Sequence, residues 1–265
     1  MKILQTAQFS PFIYASLSSI INKMKLIPFF VILLLILGYL IFSYIRIYHY
    51  AGAVMLKIPY ETNSFTLENP RGQGSIQYVA LGDSLSVGLG SLNVKETFVY
   101  QYALKLSEKY TKVSVINLGR SGATTKDLIN SQLPQALSQN PDYITLLIGI
   151  NDVHAKITTD DFQKNYHYIL GELINKTQAQ ITVINLPYLG SNKLITPPFS
   201  TILDFRTKQF NGIISDAISS NRIKLVDLYE KSYQVFNQDP KYYSSDLFHP
   251  SAEGYMLWSK IINAY

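Results

Sequence analysis

Hydrophobic positions follow two patterns along this chain. The first is one block, Leu26 to Ile45 (LIPFFVILLLILGYLIFSYI), twenty residues without a charge. A helix of that length spans about 30 Å, the thickness of a bilayer's hydrocarbon core. The second pattern begins near residue 75, where short apolar runs alternate with longer amphipathic stretches. Ile76–Leu81, Val113–Leu118, Tyr143–Ile148, Ile181–Leu186 and Ile223–Leu228 are short and β-branched, which predicts five strands. Several are almost continuously apolar, as strands covered on both faces are. Residues 98–110, 125–137, 160–176, 202–220 and 251–263 carry the helical spacing, and Thr159-Asp160 offers the third an N-cap. The alternation predicts a three-layer α/β/α sandwich around a mostly parallel five-stranded sheet.

The two patterns divide the chain into an N-terminal tail (1–25), a membrane-spanning segment (26–45), a polar linker (46–74) and a globular domain (75–265). Pro59, Pro70, Gly72 and Gly74 punctuate the linker. Lys23 and Lys25 precede the apolar block, Arg46 follows it, and Tyr39, Tyr44 and Tyr48 suit an interface. A cleaved signal peptide has an apolar core of roughly 7–15 residues ahead of a small-residue site. Here the block is longer, and Arg46 and His49 interrupt the approach to Ala51-Gly52-Ala53. The expectation is a retained single-pass signal-anchor with the globular domain outside the cytoplasm; cleavage would make the protein secreted.

Composition narrows the chemistry. Charged residues are 15% of the 265, against about 25% in an ordinary soluble protein. There is no cysteine, which removes disulfides, thiolate metal sites, a cysteine nucleophile and a lipid-modified N-terminal cysteine. The net charge of +5 belongs largely to the N-terminal region: residues 1–71 carry +4 and residues 72–265 only +1. Nucleic acid is therefore not an expected partner, since it requires a concentrated basic face. Gly88-Leu89-Gly90 lacks the third glycine of a dinucleotide fingerprint, no Walker lysine follows a glycine loop, and the histidines are scattered. Neither a cofactor nor a metal is expected.

In parallel sheets, sites form beyond the carboxyl ends of the strands. Polar clusters fall there: Gly82-Asp83-Ser84-Leu85-Ser86, Asn117-Leu118-Gly119-Arg120-Ser121-Gly122 and Gly149-Ile150-Asn151-Asp152. A fourth, Asp246-Leu247-Phe248-His249-Pro250, precedes the last helix. Ser84 is a hydroxyl nucleophile that needs a base, and the His249 imidazole is neutral yet basic near pH 7. Asp246, three residues earlier, can hold one ring N–H and leave the other nitrogen for Ser84. An acyl-transfer intermediate carries an oxyanion, for which the Ser84 and Gly122 backbone N–H groups and the Asn151 amide are available donors. Asp83 reads as a holder of its own turn and Asp152 as a brace for the Asn151 loop. His154 reads as a surface histidine and His167 as structural. Position 86 is serine, so the glycine of a nucleophile elbow is missing and an α/β-hydrolase is disfavoured.

The ordered set Gly82-Asp83-Ser84-Leu85, Gly122, Gly149-x-Asn151-Asp152 and Asp246-x-x-His249 resembles the SGNH superfamily of GDSL esterases and lipases over residues 75–265. Gly119 also lies near the glycine position, but the spacing of Gly122 after Asn117 fits that pattern better. The resemblance implies a flavodoxin-like SGNH-hydrolase fold. It also implies a Ser84–His249–Asp246 triad, hydrolysis of acyl esters through an acyl-enzyme, and no cofactor.

The substrate stays open at this level. Tyr188, Leu189, Ile195, Pro197, Pro198 and Phe199, with Tyr233, Phe236, Tyr242, Tyr243 and Phe248, either line an acyl channel or serve as packing. An anchored hydrolase meets lipids and envelope polymers first, which favours lysophospholipids and other acyl esters. The alternatives are removal or transfer of O-acetyl groups on envelope polysaccharide and, from another class, an anchored binding protein with a silent triad. Oligomeric state is not legible.

Overall fold

The computed structural model describes residues 11–53, 64–155, 157–188 and 190–264, with side chains of the N-terminal helix described from Lys25 to His49. The chain divides into two compact units, residues 1–49 and 50–265.

The N-terminal unit is one helix, α1 (Pro11–Ala53), longer at both ends than the apolar block. Residues 11–25, read as tail, and 46–53, read as linker, are helical because nothing between Pro11 and Gly52 combines a breaker with a cap. Pro28 lies inside without ending the helix. Its segment from Lys25 to His49 is long and apolar enough to cross a membrane, with a mean hydropathy of 2.7 over its most apolar eighteen residues. Phe29, Leu34, Leu35 and Phe42 are exposed along it.

The second unit is built on a sheet of six strands in the order β1-β3-β2-β4-β5-β6. These are β1 (Ser64–Glu68), β2 (Ser75–Gly82), β3 (Lys112–Asn117), β4 (Tyr143–Leu147), β5 (Gln180–Ile184) and β6 (Ile223–Val226). β2 to β6 are parallel and match the five predicted runs. β1 is additional: residues 64–68, assigned to the linker, pair antiparallel with β3. Phe65 and Leu67 turn towards the core while Ser64, Thr66 and Glu68 face solvent, the half-buried alternation of an edge strand.

The helices are α2 (Ser84–Val87), α3 (Phe98–Ser107), α4 (Thr125–Asp127), α5 (Leu133–Ser138), α6 (Ile150–His154), α7 (Thr159–Lys176), α8 (Phe199–Asp216), α9 (Leu228–Gln238) and α10 (Ala252–Asn263). A π turn, Leu128–Gln132, joins α4 to α5. α10 packs with α3 and α9, and α7 packs with α5 and α8, so two helical groups flank the sheet. β4 and β5 are buried on both faces, as their apolar runs require. Chain order reverses at β2, with β3 on one side and β4 on the other. That switch point opens a crevice at the carboxyl ends of β2 and β4. The sheet thereby delivers the Ser84 and Asn151 loops to the same place.

Candidate active site

β2 ends at Gly82, whose φ of +155° and surroundings exclude a side chain: a Cβ would stand 2.2 Å from Ser86 Oγ and 2.3 Å from the Leu147 carbonyl oxygen. Gln132, buried in the π turn, holds that residue at both ends. Gly82 N–H donates to Gln132 Oε1 at 2.9 Å, and Gln132 Nε2 donates to the Gly82 carbonyl at 2.8 Å. Asp83 then caps the short helix α2 by accepting from Leu85 N–H at 3.0 Å. Ser84 opens α2 and is 8% exposed. Strand end, cap and first helical turn together fix the direction of its hydroxyl.

The opposite wall comes from residues 244–250. Asp246 Oδ1 accepts from Ser244 Oγ at 2.7 Å and from the backbone N–H groups of Phe248 and His249, each at 2.9 Å. Its Oδ2 faces His249 Nδ1 at 2.5 Å, and His249 Nε2 lies 2.9 Å from Ser84 Oγ. Leu247 adopts φ +58° to close this turn. Burial opposes the charged form of Asp246, but the His249 ring bond, the His249 charge and the Ser244 and Phe248 donors outweigh it and hold the carboxyl below its ordinary value. Residues 165 positions apart thus end in one unbroken hydrogen-bonded chain.

Two further loops face the serine's strand end. Asn117 Nδ2 donates to the Ser86 carbonyl at 2.7 Å and its Oδ1 accepts from Gly119 N–H at 3.0 Å, tying the β3 loop to α2. Gly119 is packed: a Cβ there would meet the Ser86 Cβ at 2.9 Å. Gly122 is different, with φ +79° and nothing within 4 Å of where a Cβ would point, so it borders open space. Asn151 Nδ2 donates to the Ala123 carbonyl at 2.9 Å, which joins the β4 loop to the Gly122 loop and leaves a second amide hydrogen. Asp152 is buried and accepts from Thr125 N–H and Oγ1, so it braces this loop. Gly149, at φ +129°, leaves no room for a Cβ, which would stand 2.9 Å from Phe162 Cε2.

Asp83 Oδ1 has its cap bond, while Oδ2 is buried without a hydrogen-bond partner among the described residues. Burial, aided by the Asp152 charge and opposed by the Leu85 N–H, raises this carboxyl from 3.8 to about 7. Between those values the folded state binds more protons than the unfolded chain, so this group lowers stability as pH rises from 3.8 towards 7. Asp83→Asn keeps an oxygen for Leu85 N–H and removes the titration. Its melting temperature relative to wild type is therefore expected to improve from pH 5 to pH 8 in scanning fluorimetry. A difference that stays constant or worsens over that range contradicts a buried, titrating Asp83.

The loop residues set aside as channel or packing divide between the two. Ile195, Phe236 and Tyr243 are buried, whereas Tyr188, Phe199, Tyr233, Tyr242 and Phe248 are half-buried and Pro197 and Pro198 exposed. Leu189 lies outside the described residues. Phe248 sits between the rings of His154 (5.5 Å) and His249 (5.1 Å), so His154 touches the site through Phe248. His167 is exposed on α7. Gln132, Asn117 and Ser244 were missed as organisers of the site: Gln132 and Asn117 act across 50 and 31 positions, and Ser244, two residues before Asp246, reads in sequence as an ordinary loop serine. Among the described residues no cluster of His, Cys, Asp or Glu could hold a metal ion.

The mostly parallel sheet thus joins a serine, an imidazole and a carboxylate by hydrogen bonds at its switch point, and family membership makes the chain a serine ester hydrolase. The sequence profile of the GDSL-like Lipase/Acylhydrolase family matches residues 80–257, and the chain belongs to that family. The spore germination lipase LipC of Bacillus licheniformis is 28% identical over 207 residues, 72% of this chain and 96% of that protein. The acetylxylan esterase of Geobacillus stearothermophilus is 25% identical over 158 residues, 56% of this chain and 69% of that one. Among solved structures, the lipase Lip_vut3 from a goat rumen metagenome superposes with a TM-score of 0.57 at 28% identity, over 71% of this chain and 96% of that one.

Proposed function

We propose that this ester hydrolase works through Ser84 as nucleophile, His249 as general base and acid, and Asp246 as the group that orients the imidazole. The observation that carries the proposal is the continuous contact from Asp246 Oδ2 through His249 to Ser84 Oγ, at 2.5 and 2.9 Å. Ser84 Oγ attacks the ester carbonyl carbon while His249 Nε2 takes its proton. The resulting oxyanion is received by the backbone N–H groups of Ser84 and Gly122 and the free amide hydrogen of Asn151. Collapse of the intermediate breaks the bond to the alcohol oxygen, which leaves with the proton held on His249. Water, deprotonated by the same imidazole, then cleaves the acyl-enzyme and restores Ser84.

The open space at Gly122, against the packing around Gly119, supports Gly122 as the backbone donor. A fluorophosphonate probe is expected to label the folded protein in equal molar amount and to abolish hydrolysis of p-nitrophenyl acetate. Full turnover after stoichiometric labelling contradicts the proposal.

The first substrate reading, hydrolysis of acyl-lipid esters, has the support of the similarity to a lipase; a second, removal of O-acetyl groups from an envelope polysaccharide, has the support of the similarity to an acetylxylan esterase. The segment 26–45 is further proposed to hold the enzyme in a membrane with residues 75–265 outside the cytoplasm. Its support is the apolar stretch Lys25–His49 and the large apolar side chains exposed along it. The full chain should pellet with membranes and resist a high-salt wash, and removal of residues 1–53 should release an active enzyme. A full chain that stays in the supernatant contradicts the anchor.

A further inference from the structure

The loops that build the site form one end of the sheet, and that end differs in charge from the other. In the segments after β2, β3, β4 and β5 (83–93, 118–124, 148–157 and 185–198) the only carboxylates are Asp83 and Asp152, and both are buried. Among the described residues the exposed cations of these segments are Arg120 and Lys193, and the His154 imidazole is exposed as well. In the segment that brings in His249, Asp239 is paired with Lys241 at 2.8 Å. At the amino ends of the strands, by contrast, Glu68, Glu108 and Asp142 all meet solvent.

The catalytic end also holds large apolar side chains in water. Leu92 is 77% exposed, Phe205 62% and Ile202 53%. They flank the site on two sides. Leu92 follows Gly90, where a Cβ would stand 3.2 Å from the His249 Cβ. Ile202 and Phe205 lie on the first turns of α8, which Arg206 ties to the Asn151 helix α6 and the residues after it. Its Nε donates to the Val153 carbonyl at 3.2 Å and its Nη2 to the Ile157 carbonyl at 3.0 Å. The other exposed large apolar side chains described in this unit, Leu104 and Tyr168, stand apart on α3 and α7. The chain enters the unit at the catalytic end too. β1 runs antiparallel to β3 with Ser64 opposite Ile116, so its first residue stands at the carboxyl end of the sheet. Only ten residues, 54–63, separate Ser64 in sequence from the end of α1.

Apolar side chains among cations, with the carboxylates withdrawn, suit entry into the headgroup layer of an anionic bilayer. Resting on the proposed membrane anchor, we infer that the catalytic end of the sheet is a lipid-contact surface. Leu92 on the His249 side and Ile202 and Phe205 on the Asn151 side insert among anionic phospholipid headgroups, and Arg120 and Lys193 supply the charge complement. The mouth of the site then opens onto lipid, and ester substrates reach Ser84 from the membrane.

The test reads depth before activity. Trp258 is the only tryptophan and is buried, so a tryptophan placed on the surface reports its own surroundings above that background. The full chain carrying Phe205→Trp is reconstituted into vesicles of phosphatidylcholine and phosphatidylglycerol with brominated acyl chains. Wild type and Leu104→Trp, in the last turn of α3, run alongside. Phe205→Trp is expected to lose most of its added emission relative to unbrominated vesicles, while Leu104→Trp keeps its own. Equal emission from Phe205→Trp in both vesicles, in chain that floats with them, overturns the lipid contact and leaves the anchor standing; that face then meets water or a protein. Chain that does not float with the vesicles overturns the anchor and the contact together. In the double variant Ile202→Ser, Phe205→Ser, turnover of an ester carried in the bilayer should fall about tenfold or more relative to p-nitrophenyl acetate, since burial of one such side chain is worth about that factor. An unchanged ratio overturns the contact, and the acetate rate keeps the Ser84 chemistry separately in view.

Discussion

Ser84→Ala is expected to lower kcat/KM for p-nitrophenyl acetate by on the order of 10⁴–10⁶-fold, with the fold intact. The loss is large because the acyl-enzyme route disappears altogether; what remains is whatever the oxyanion donors do for direct attack by water. The stability effect is small for a local reason. Ser84 Oγ has its hydrogen bond to His249 Nε2, and that ring stays held by Asp246 at its other nitrogen. Circular dichroism and the melting temperature should match wild type. A folded variant that keeps more than about a hundredth of the activity shows that another group carries the attack.

Asp246→Asn is expected to cost about 10⁴-fold in kcat, for a reason the hydrogen bonds make specific. Three donors, Ser244 Oγ and the N–H groups of Phe248 and His249, converge on Asp246 Oδ1. An asparagine must turn its oxygen to them, which places its NH₂ against His249 Nδ1. Nδ1 then becomes an acceptor, Nε2 carries the proton, and the imidazole presents N–H to Ser84 where a base is needed. Fluorophosphonate labelling should slow in parallel with turnover. Near-normal turnover in Asp246→Asn contradicts the orienting role. The same substitution removes a carboxylate held below its ordinary value, whose contribution to stability is present above about pH 4 and lost as acid protonates it. The variant should therefore lose less stability in acid than at neutral pH.

The sheet was legible because its central strands are buried on both faces, and the apolar runs at 143–147 and 180–184 have few other uses. The residues of the candidate site were legible for a related reason: three of the four polar clusters interrupt the chain just where an apolar run stops, and the fourth, Asp246–Pro250, stands just ahead of the last helix. β1 was not, because Ser64–Glu68 alternates over only five residues and sits beside Pro70, Gly72 and Gly74, which read as linker. Helix α9 was missed because the apolar run 223–228 was extended as strand through Leu228, whereas Asp227 caps a helix there by accepting from Glu230 N–H. Gln132 illustrates a harder limit. Its amide pins both ends of Gly82 across 50 positions, yet in sequence it is one more polar residue on a helical stretch. The aromatic loops divided between packing and rim according to tertiary contacts that spacing does not encode.

The central claim is that a single hydroxyl, brought against an imidazole from the far end of the chain, becomes acylated during turnover. Rapid acid quenching of the enzyme with p-nitrophenyl acetate, followed by peptide mass analysis, reads this out. The account predicts one acetyl group on the peptide containing Ser84, absent from Ser84→Ala and accumulating in a variant slow to deacylate. An acetyl group found reproducibly on a different residue, with Ser84 unmodified and turnover undiminished, contradicts it.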